Sequence, residues 1–409
     1  MGPMKSVDEH LADVLAGVHP LQPLEMQLLD AEGCVLAEDV LAPWDVPRHT
    51  VAQSGGYAVR SVDVDAASEE SPVQLPVVGD VEAGAAPTIT VQPGMSARLG
   101  EGAVLPEGAD TVVPTSWTDG GISGVTVRRA PLPGSGLRRA GSDVRRGQVV
   151  LESGTRLRPA QLGILAAIGR PRVLVRPRPR VVVISTGEGL VEPGKEPVAG
   201  EVTEANTYAL TSAAKQAGGL AFRVGIVPHD TRRVLDTIED QLIRADLVVV
   251  CGGNTGERDV VPQVLQRLGA AGLDEVAMEP GHLQGYGTIG PESTPVFSLP
   301  ADPVAAYVGF EVFVRPVIRR MLGAGSLHRP VLGAIAQRTI HSYPGRREFV
   351  RGVLDVADGH YVVRPADEGE PHLLGGLAQA NCFIVVPEDT DQVASGDPVA
   401  VMVLERRLG

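Results

Sequence analysis

The chain has 409 residues, of which 43% are hydrophobic, 21% are charged and only 3% are aromatic, and its formal net charge is −14. A chain of this length exceeds one hydrophobic core and should divide into several domains. The acidic balance argues against nucleic-acid or anionic-membrane binding, because both need basic protein surfaces. Few aromatic rings are available for stacking on bases.

The cysteines and the N-terminus bear on the compartment. Cys34, Cys251 and Cys382 lie far apart without CxxC or CxxH spacing, which predicts neither a disulfide framework nor a metal cluster and fits a reducing compartment. The first residues, MGPMKSVDEH, lack an apolar signal core, and no run reaches the ~18 apolar residues of a membrane span. We therefore expect a cytoplasmic protein without a membrane span.

The residue pattern changes twice in the first half of the chain. Residues 5–35 are predicted to be helical, with Ser6 as N-cap and interruptions at Pro20 and Pro23. From Val46 to about Arg139, short β-branched runs alternate with Gly and Pro, which predicts a small mostly-β domain over 46–139. Residues 140–178, including the predicted helix PAQLGILAAIG, join residues 1–45 in an N-terminal helix and hinge domain.

Strands and helices alternate over residues 179–326. RVVVIST (180–186), FRVGIV and DLVVVCGG are predicted strands, and helices are predicted from Asn206, from Asp230 and over VVPQVLQRLG. This alternation indicates βαβ units and a parallel sheet. Ligands bind at the carboxyl ends of such strands. The predicted functional edge therefore comprises 185–190, 251–259 and 299–303.

After about Leu327 the pattern returns to short strands. The runs REFVRGVLDV, HYVVRP, NCFIVVPE and DPVAVMVL predict a C-terminal β-domain over residues 327–409.

Eight runs occur in the order and spacing of a known family. They are Tyr57-Ala58-Val59-Arg60, LPEGADTVV (105–113), ISTGEGL (184–190), CGGNTGERD (251–259), MEPGH (278–282), LPADPV (299–304), GRREFVR (345–351) and LAQANCFIVVPE (377–388). Each run alone is weak, but the ordered set is specific. Together they resemble molybdopterin molybdenumtransferase, the bacterial counterpart of the gephyrin E domain, over nearly the whole chain.

The resemblance implies a multi-domain α/β and β fold. It has a central parallel-sheet, MogA-like α/β domain, a small β-domain inserted near the N-terminus and a C-terminal β-barrel-like domain. It also implies an elongated homodimer that uses adenylylated molybdopterin, molybdate and magnesium, inserts the metal into the dithiolene and releases the nucleotide. Such a site needs carboxylates for a hard divalent cation, and cationic or backbone donors for phosphate and molybdate.

Several functional positions are retained, according to the resemblance. The implied catalytic residues are Asp259 and Glu188, and the implied metal ligands are Asp143 and Glu204. The implied substrate-binding residues are Ser185, Thr186, Gly187, Gly252, Gly253, Asn206, Pro300 and Pro303.

Other family positions are altered. Gly55 replaces an aspartate, Glu101 a threonine and Gly189 a carboxylate; Glu279 and His282 replace two lysines, and Ala301 and Asp302 replace a Gly-Asn pair. The turn Gly252-Gly253-Asn254-Thr255 is one residue shorter than the family's.

These changes predict an electrostatic loss. Unit charges ~4 Å apart interact by ~4 kcal/mol at an effective dielectric of ~20. Replacing a lysine with Glu279, and adding Glu101 and Asp302, turns attraction for anions into repulsion. A discounted sum of ~4–8 kcal/mol would weaken anion binding by roughly 10³ to 10⁶.

Each residue also has a plainer interpretation. Asp143, Glu188, Glu204 and Asp259 form a cation site or are solvated and cap helices, and the second is favoured. For Cys251, packing is favoured, and for Gly252-Gly253 a tight turn is favoured over a phosphate cradle. His282 is expected to have no role, and Glu257-Arg258 is expected to be a surface pair. At Gly345–Phe349, structural pairing is favoured over partner recognition.

Three functions remain open. The first is a weakly active or non-catalytic dimeric scaffold; gephyrin binds receptor peptides beside its last β-domain, and some actinobacterial relatives are reported to bind the tail of the tubulin-like cell-division protein. The second is a working, magnesium-dependent molybdenumtransferase with rearranged ligands. The third is an enzyme or carrier for a less anionic nucleotide or pterin. The first is favoured, and it needs no cofactor.

Overall fold

The chain folds into two compact units, one comprising Met1–Glu25, Gly33–Ala37 and Leu174–Gly409 and the other Met26–Glu32 and Glu38–Val173. The computed structural model describes residues 4–253, 259–269, 272–366 and 374–405. The domain boundaries predicted at 46, 140, 179 and 327 remain predictions, and the predicted grouping of residues 1–45 with 140–178 draws on both units.

The first 176 residues are mostly short strands. The elements are α1 Val7–Ala16, β1 Leu24–Gln27, β2 Val35–Leu36, β3 Val40–Leu41, β4 Val51–Ala52, β5 Gly56–Val59, β6 Val73–Val81, β7 Ser96–Leu99, β8 Thr111–Pro114, β9 Gly124–Val127, β10 Leu137–Arg138, β11 Val149–Leu151, α2 Pro159–Ala167 and β12 Arg172–Arg176, with 3-10 turns at Ser61–Asp63 and Thr115–Trp117.

The remaining residues contain the longer elements. They are β13 Arg180–Thr186, β14 Leu190–Val191, β15 Val202–Thr203, α3 Asn206–Ala217, β16 Leu220–Val227, α4 Thr231–Leu242, β17 Leu247–Gly253, α5 Val260–Arg267, β18 Leu273–Glu275, β19 Met278–Glu279, β20 Leu283–Ile289, β21 Thr294–Pro300, α6 Pro303–Gly309, a π-helix Phe310–Val314, α7 Arg315–Met321, β22 Val331–Ala336, β23 Ile340–His341, β24 Arg347–Ala357, β25 His360–Pro365, α8 Leu374–Gln379, β26 Cys382–Val386, β27 Gln392–Val393 and β28 Pro398–Val403.

The N-terminal helix is shorter than predicted. Ser6 is the N-cap as expected, in a capping box with Glu9, but the helix ends at Ala16. The prediction of helix up to residue 35 was wrong, because β1 and β2 occupy 24–27 and 35–36. Pro20 and Pro23 supply no backbone N–H and fix φ, so the apolar residues beyond them pair as strands instead.

The second unit is built around a β-sheet. Five strands pair in the order β8-β5-β7-β6-β9. β5 is buried at all four positions, so both faces of this central strand pack against hydrophobic core residues. Tyr57 and Val113 pack on one face and Ala58 and Val112 on the other. The small β-domain predicted near the N-terminus is therefore present.

The first unit has a six-stranded central sheet. Its order is β16-β13-β17-β21-β20-β18. β13 pairs in parallel with β16 and β17, and β17 with β21, as predicted. β20 and β18 add antiparallel strands that the sequence pattern did not reveal. β13 is buried from Val181 to Thr186 because helices cover both faces of a parallel sheet.

The C-terminal strands close into a barrel. β24, β25, β22, β28 and β26 pair in that order, and β26 returns to β24. The four predicted strands are confirmed at β24, β25, β26 and β28. Ile384, Val401 and Val363 are fully buried inside, whereas alternate residues face outward.

A buried ion pair lies beside the π-helix. The Glu311 side chain is 0% exposed and accepts hydrogen bonds from Arg329 Nε and Nη2, both at 2.8 Å. Arg315 Nε lies 3.8 Å from Glu311. Burial, and then the charge of Arg329, lowers the pKa of Arg315 to about 10. This carboxylate therefore compensates two largely buried cations.

Candidate functional site

Three neighbouring strands end at the same edge of the central sheet. Ser185 pairs with Cys251, and Cys251 with Leu299, so β13, β17 and β21 reach this edge at one level. A cavity of about 210 Å³ opens there. Its described lining comprises Ser185, Thr186, Gly187, Glu188, Leu190, Val202, Thr203, Glu204, Ala205, Asn206, Gly252, Ala301 and Pro303. The predicted edge thus carries a cavity, although Pro300 and Gly253 end their strands outside that lining.

Gly252 allows β13 and β17 to meet closely. Its φ is +107°, and a β carbon there would lie 1.7 Å from the carbonyl oxygen of Thr186. Only glycine fits such an approach in this backbone conformation. The structure therefore supplies a backbone reason for this glycine, in line with the tight-turn interpretation. Asn254, Thr255, Glu257 and Arg258 lie outside the described residues.

Asn206 contributes a buried amide to the cavity lining. It is the first residue of α3 and is 8% exposed. Its Nδ2 donates to the Ala301 carbonyl at 2.8 Å, which fixes the amide orientation because that oxygen can only accept. The opposite atom, Oδ1, is buried without a hydrogen-bond partner in the protein. A ligand N–H group would satisfy it.

Glu204 is engaged within the protein. Its side chain is 0% exposed and lies 3.5 Å from Arg223 Nη2. Oε1 accepts from the Thr207 backbone N–H at 2.8 Å, and Oε2 accepts from the Thr207 hydroxyl at 2.5 Å. Oε1 thus accepts a backbone N–H of the first turn of α3, while Oε2 binds the Thr207 hydroxyl. The predicted role as a metal ligand competes with this use of both oxygens.

The other two carboxylates of this edge differ in environment. Asp259 is 2% exposed and caps α5, its side chain accepting from Val261 N–H at 3.0 Å. Glu188 is exposed in the turn after β13 and borders the cavity. Among the residues that the structure describes, no group of three or more His, Cys, Asp or Glu side chains is arranged to hold a metal ion. The capping interpretation is confirmed for Asp259 and Glu204.

Three predicted positions belong to the second unit. Asp143 is exposed and lies 3.2 Å from Arg138 Nη2. Gly55 and Glu101 are exposed as well. A β carbon at Gly55 would make only ordinary contacts, 3.6 Å to Leu99 O and 3.9 Å to Glu101 N. The backbone would therefore still accept a side chain at position 55.

Unlike Gly55, Gly189 lies where the backbone disfavours a side chain. It has φ +75°, and a β carbon there would lie 2.7 Å from the carbonyl oxygen of Gly200. The left-handed region is unfavourable for most side chains. A carboxylate side chain at position 189 is therefore unfavourable in this conformation of the turn.

Three altered positions have structural partners. Glu279 pairs with Arg346 Nη1 at 2.9 Å. Asp302 caps α6 by accepting from Ala305 N–H at 2.8 Å. His282 is half-buried, and its carbonyl accepts from Val276 N–H. The predicted reversal from attraction to repulsion at Glu279 is therefore overstated, because the nearby guanidinium compensates its charge.

The segment Gly345–Phe349 makes the structural pairs expected of it. Arg347 binds Asp8 through Nη1 at 2.9 Å and Nη2 at 2.8 Å, and it also lies 3.0 Å from Glu388. Glu348 stands opposite Glu279 on the neighbouring strand. Burial, together with the charge of Glu279, raises the pKa of Glu348 despite the counteracting contact with Ser342.

Cys251 is packed rather than exposed. It is 0% exposed, and its Sγ donates to the Ile184 carbonyl at 3.2 Å. Burial, and then the charge of Glu204, raises the pKa of the Cys251 thiol. A thiol in this environment is inert as a nucleophile. The packing interpretation is confirmed.

Sequence inspection missed two residues next to this edge. Arg223, on the edge strand β16, contacts Glu204 and Glu192. His229 Nδ1 lies 3.5 Å from Thr186 Oγ1. An arginine inside an otherwise apolar strand was a signal that could have revealed Arg223. His229 gave no signal, since its position beside Thr186 depends on the parallel pairing of β13 and β16.

The fold and the cavity define a class of protein: a multi-domain α/β protein with a cavity at the carboxyl edge of a parallel sheet, the edge at which such folds bind ligands. Three family descriptions match the chain: "MoeA N-terminal region (domain I and II)" over residues 5–169, "Probable molybdopterin binding domain" over 182–320 and "MoeA C-terminal region (domain IV)" over 333–404. The chain belongs to the molybdopterin molybdenumtransferase family.

Individual relatives match over full length. Molybdopterin molybdenumtransferase 1 of Mycobacterium tuberculosis is 41% identical, covering 98% of this chain and 99% of the relative. The Nostoc molybdopterin molybdenumtransferase is 35% identical over 93% of this chain and 88% of the relative. The crystal structure of the molybdopterin biosynthesis MoeA protein from Pyrococcus horikoshii superimposes with a TM-score of 0.81 at 29% identity, covering 98% and 99% of the two chains.

Proposed function

We propose that this chain keeps the family's ligand cavity but inserts molybdate weakly or not at all, and serves as a dimeric binding or scaffold protein. The observation that carries the proposal is the charge of the cavity lining. Among the described lining residues the ionisable side chains are Glu188 and Glu204, with no lysine or arginine. A pterin nucleotide and molybdate are anions and bind best to cationic donors.

The remaining donors suit a neutral group better than an oxyanion. The lining includes the hydroxyl-bearing residues Ser185, Thr186 and Thr203, and Asn206 Oδ1 is a buried acceptor without a protein partner. These groups can hydrogen-bond the amino and ring N–H groups of a pterin. They do not neutralise a pyrophosphate or a dianion. This supports binding of the pterin end without efficient chemistry at the metal.

The donor set does not fit a magnesium ion held by several protein carboxylates. Both oxygens of Glu204 are committed to Thr207, and in the described residues no cluster of three ligand side chains occurs. Magnesium takes oxygen ligands in a near-octahedral arrangement. The described carboxylates therefore supply at most a small part of such an arrangement.

A working transferase is the second candidate, and two observations favour it. Glu188 is exposed at the cavity, and magnesium usually needs only one or two carboxylates when the substrate supplies phosphate oxygens. The 41% identity to a protein named molybdopterin molybdenumtransferase 1 supports the same alternative.

One assay separates the two candidates. Adenylylated molybdopterin is added to the purified protein with magnesium, with and without molybdate, and nucleotide release is followed. The M. tuberculosis relative serves as positive control. We expect binding of the pterin nucleotide but release at least about a hundredfold slower than the relative's, which corresponds to ~2.7 kcal/mol in activation free energy. Molybdate-dependent release at the relative's rate would overturn the proposal.

The scaffold role predicts a dimer and a protein partner in the cytoplasm. Light scattering is expected to give twice the chain mass. A synthetic peptide with the tail sequence of the tubulin-like division protein should bind the C-terminal domain, measured by fluorescence anisotropy, and a scrambled peptide should not. A monomer, or equal binding of both peptides, would count against this role.

A further inference from the structure

Two short strands of the cavity wall are each followed by a glutamate. β14 and β15 pair in parallel, Leu190 with Val202 and Val191 with Thr203. The next residues along the two strands are Glu192 and Glu204, and Glu204 N–H donates to the Val191 carbonyl at 2.9 Å. Both carboxylates converge on Arg223 of β16. One guanidinium therefore contacts the glutamate that follows each of the two strands.

Arg223 uses Nε, Nη2 and one face of its guanidinium for its contacts. Nη2 lies 2.6 Å from both oxygens of Glu192, and Nε donates to Thr207 Oγ1 at 2.7 Å. The guanidinium carbon lies 4.3 Å from the ring centre of Tyr208, whose hydroxyl donates to Glu192 at 3.2 Å. The hydrogen bond with Arg223 holds the pKa of Glu192 below its usual range.

The wall held in this way borders the ligand cavity. Leu190, Val202, Thr203 and Glu204 belong to it and line the cavity, whereas Arg223 itself does not. We propose that Arg223 is a positioning residue that fastens the segment 187–205 over the cavity by bridging Glu192 and Glu204. This role of Arg223 rests on the proposed function in one respect only, which is the identity of the ligand in the cavity.

An arginine suits position 223 better than a lysine. An arginine presents five donors in a plane and can serve several acceptors at once, whereas a lysine ammonium cannot span them. The buried Glu204 carboxylate also needs a compensating cation, because a buried unpaired charge is strongly unfavourable. Loss of Arg223 should therefore release the wall and leave Glu204 uncompensated.

The first arm of the test needs no ligand. Amide hydrogen exchange is measured for R223Q and for the control R180Q, which removes the Arg180–Asp246 pair at the opposite end of β13. We expect exchange in residues 187–205 to speed up about tenfold or more in R223Q, with α4 unchanged, and no change in that segment in R180Q. Unchanged exchange of residues 187–205 in R223Q would overturn the proposal.

A double variant separates positioning from charge compensation. R223Q/E204Q removes the uncompensated carboxylate and should recover most of the unfolding free energy lost in R223Q. The segment should still exchange fast, since the bridge to Glu192 is absent. If protection of residues 187–205 returns together with global stability, Arg223 only neutralises Glu204 and the positioning role is wrong.

The second arm measures release of adenylylated molybdopterin by stopped flow. R223Q is expected to raise the dissociation rate about tenfold with little change in the association rate. R223K should fall between R223Q and wild type, and R180Q should match wild type. Equal dissociation rates in R223Q and wild type would contradict the proposal. If wild type binds no pterin nucleotide, the proposed function fails, while the exchange measurement still decides the role of Arg223.

Discussion

A β carbon at Gly252 would lie 1.7 Å from the carbonyl oxygen of Thr186. The approach of these two residues brings β17 against β13 at the mouth of the cavity. The cavity therefore depends on a backbone contact that tolerates no side chain.

The variant G252A tests this contact. The clash and the left-handed φ of +107° should lower the unfolding free energy by more than about 3 kcal/mol and distort the cavity. G333A is the matched control, since Gly333 lies in β22 with nothing within 4 Å of its added β carbon. Urea unfolding should place G333A within about 0.5 kcal/mol of wild type. Equal stability of the two variants would contradict the role of the contact.

A pair of reversions compares two lost carboxylates. G55D should fold with nearly wild-type stability because its β carbon meets only ordinary contacts. G189D should lose about 1–2 kcal/mol or more, since φ is +75° and the Gly200 carbonyl lies 2.7 Å from the added atom. Thermal unfolding of both variants measures the difference. A G189D variant as stable as G55D would show that the turn rearranges freely.

The charge of Glu279 can be reversed directly. In E279K the lysine faces Arg346, so anion binding should strengthen while stability falls slightly. Because Glu279 lies outside the described lining of the cavity and is paired with Arg346, we expect the dissociation constant for adenylylated molybdopterin to drop only about threefold, or ~0.7 kcal/mol. E279Q should give a smaller gain. Titration at two salt concentrations checks the electrostatic origin, because screening should reduce the gain. A salt-independent change would point to another cause.

The buried pair beside the π-helix should dominate stability in its region. E311A leaves Arg329 and Arg315 without their carboxylate and should cost about 3–5 kcal/mol. D236A removes an exposed contact of 3.9 Å with Arg232 on α4 and should cost less than about 0.5 kcal/mol. Denaturant unfolding measures both. A small loss in E311A would mean that water compensates the two guanidinium groups.

Glu348 and Asp8 should give opposite pH dependences. The pKa of Glu348 is raised by burial, so its contribution is most favourable below the unfolded value of about 4.3 and is lost as pH rises through the folded pKa. E348Q should therefore gain relative stability with rising pH, by at most about 1 kcal/mol after allowance for screening.

Asp8 has a pKa lowered by its hydrogen bonds from Arg347. Its contribution is present above the unfolded value of about 3.9 and is lost as pH falls through the folded pKa. D8N should therefore be less stable than wild type at neutral pH, and the difference should vanish in acid. Unfolding midpoints across the acid range check both variants; parallel slopes would contradict the opposite pKa shifts assigned to Glu348 and Asp8.

Local pattern was sufficient for much of the fold. The buried run at 180–186, the N-cap at Asp230 and the strands of the last domain follow from hydrophobic period and capping chemistry. The edge that carries the cavity followed from the alternation of strands and helices. Elements of two residues, such as β14 and β15, were missed because too few positions exist to show a period.

The sequence by itself determined the family, the alternation of strands and helices in the central sheet and the edge that carries the cavity, because motif order and periodicity are properties of the chain alone. Only the tertiary structure decided the partners of the charged groups. Glu279 and Asp302 were expected to repel anions, but Glu279 pairs with Arg346 and Asp302 caps α6. The resemblance implied a metal ligand at Glu204, which lies against Arg223. Such compensation depends on side chains brought together from distant positions, and no local pattern encodes those distances.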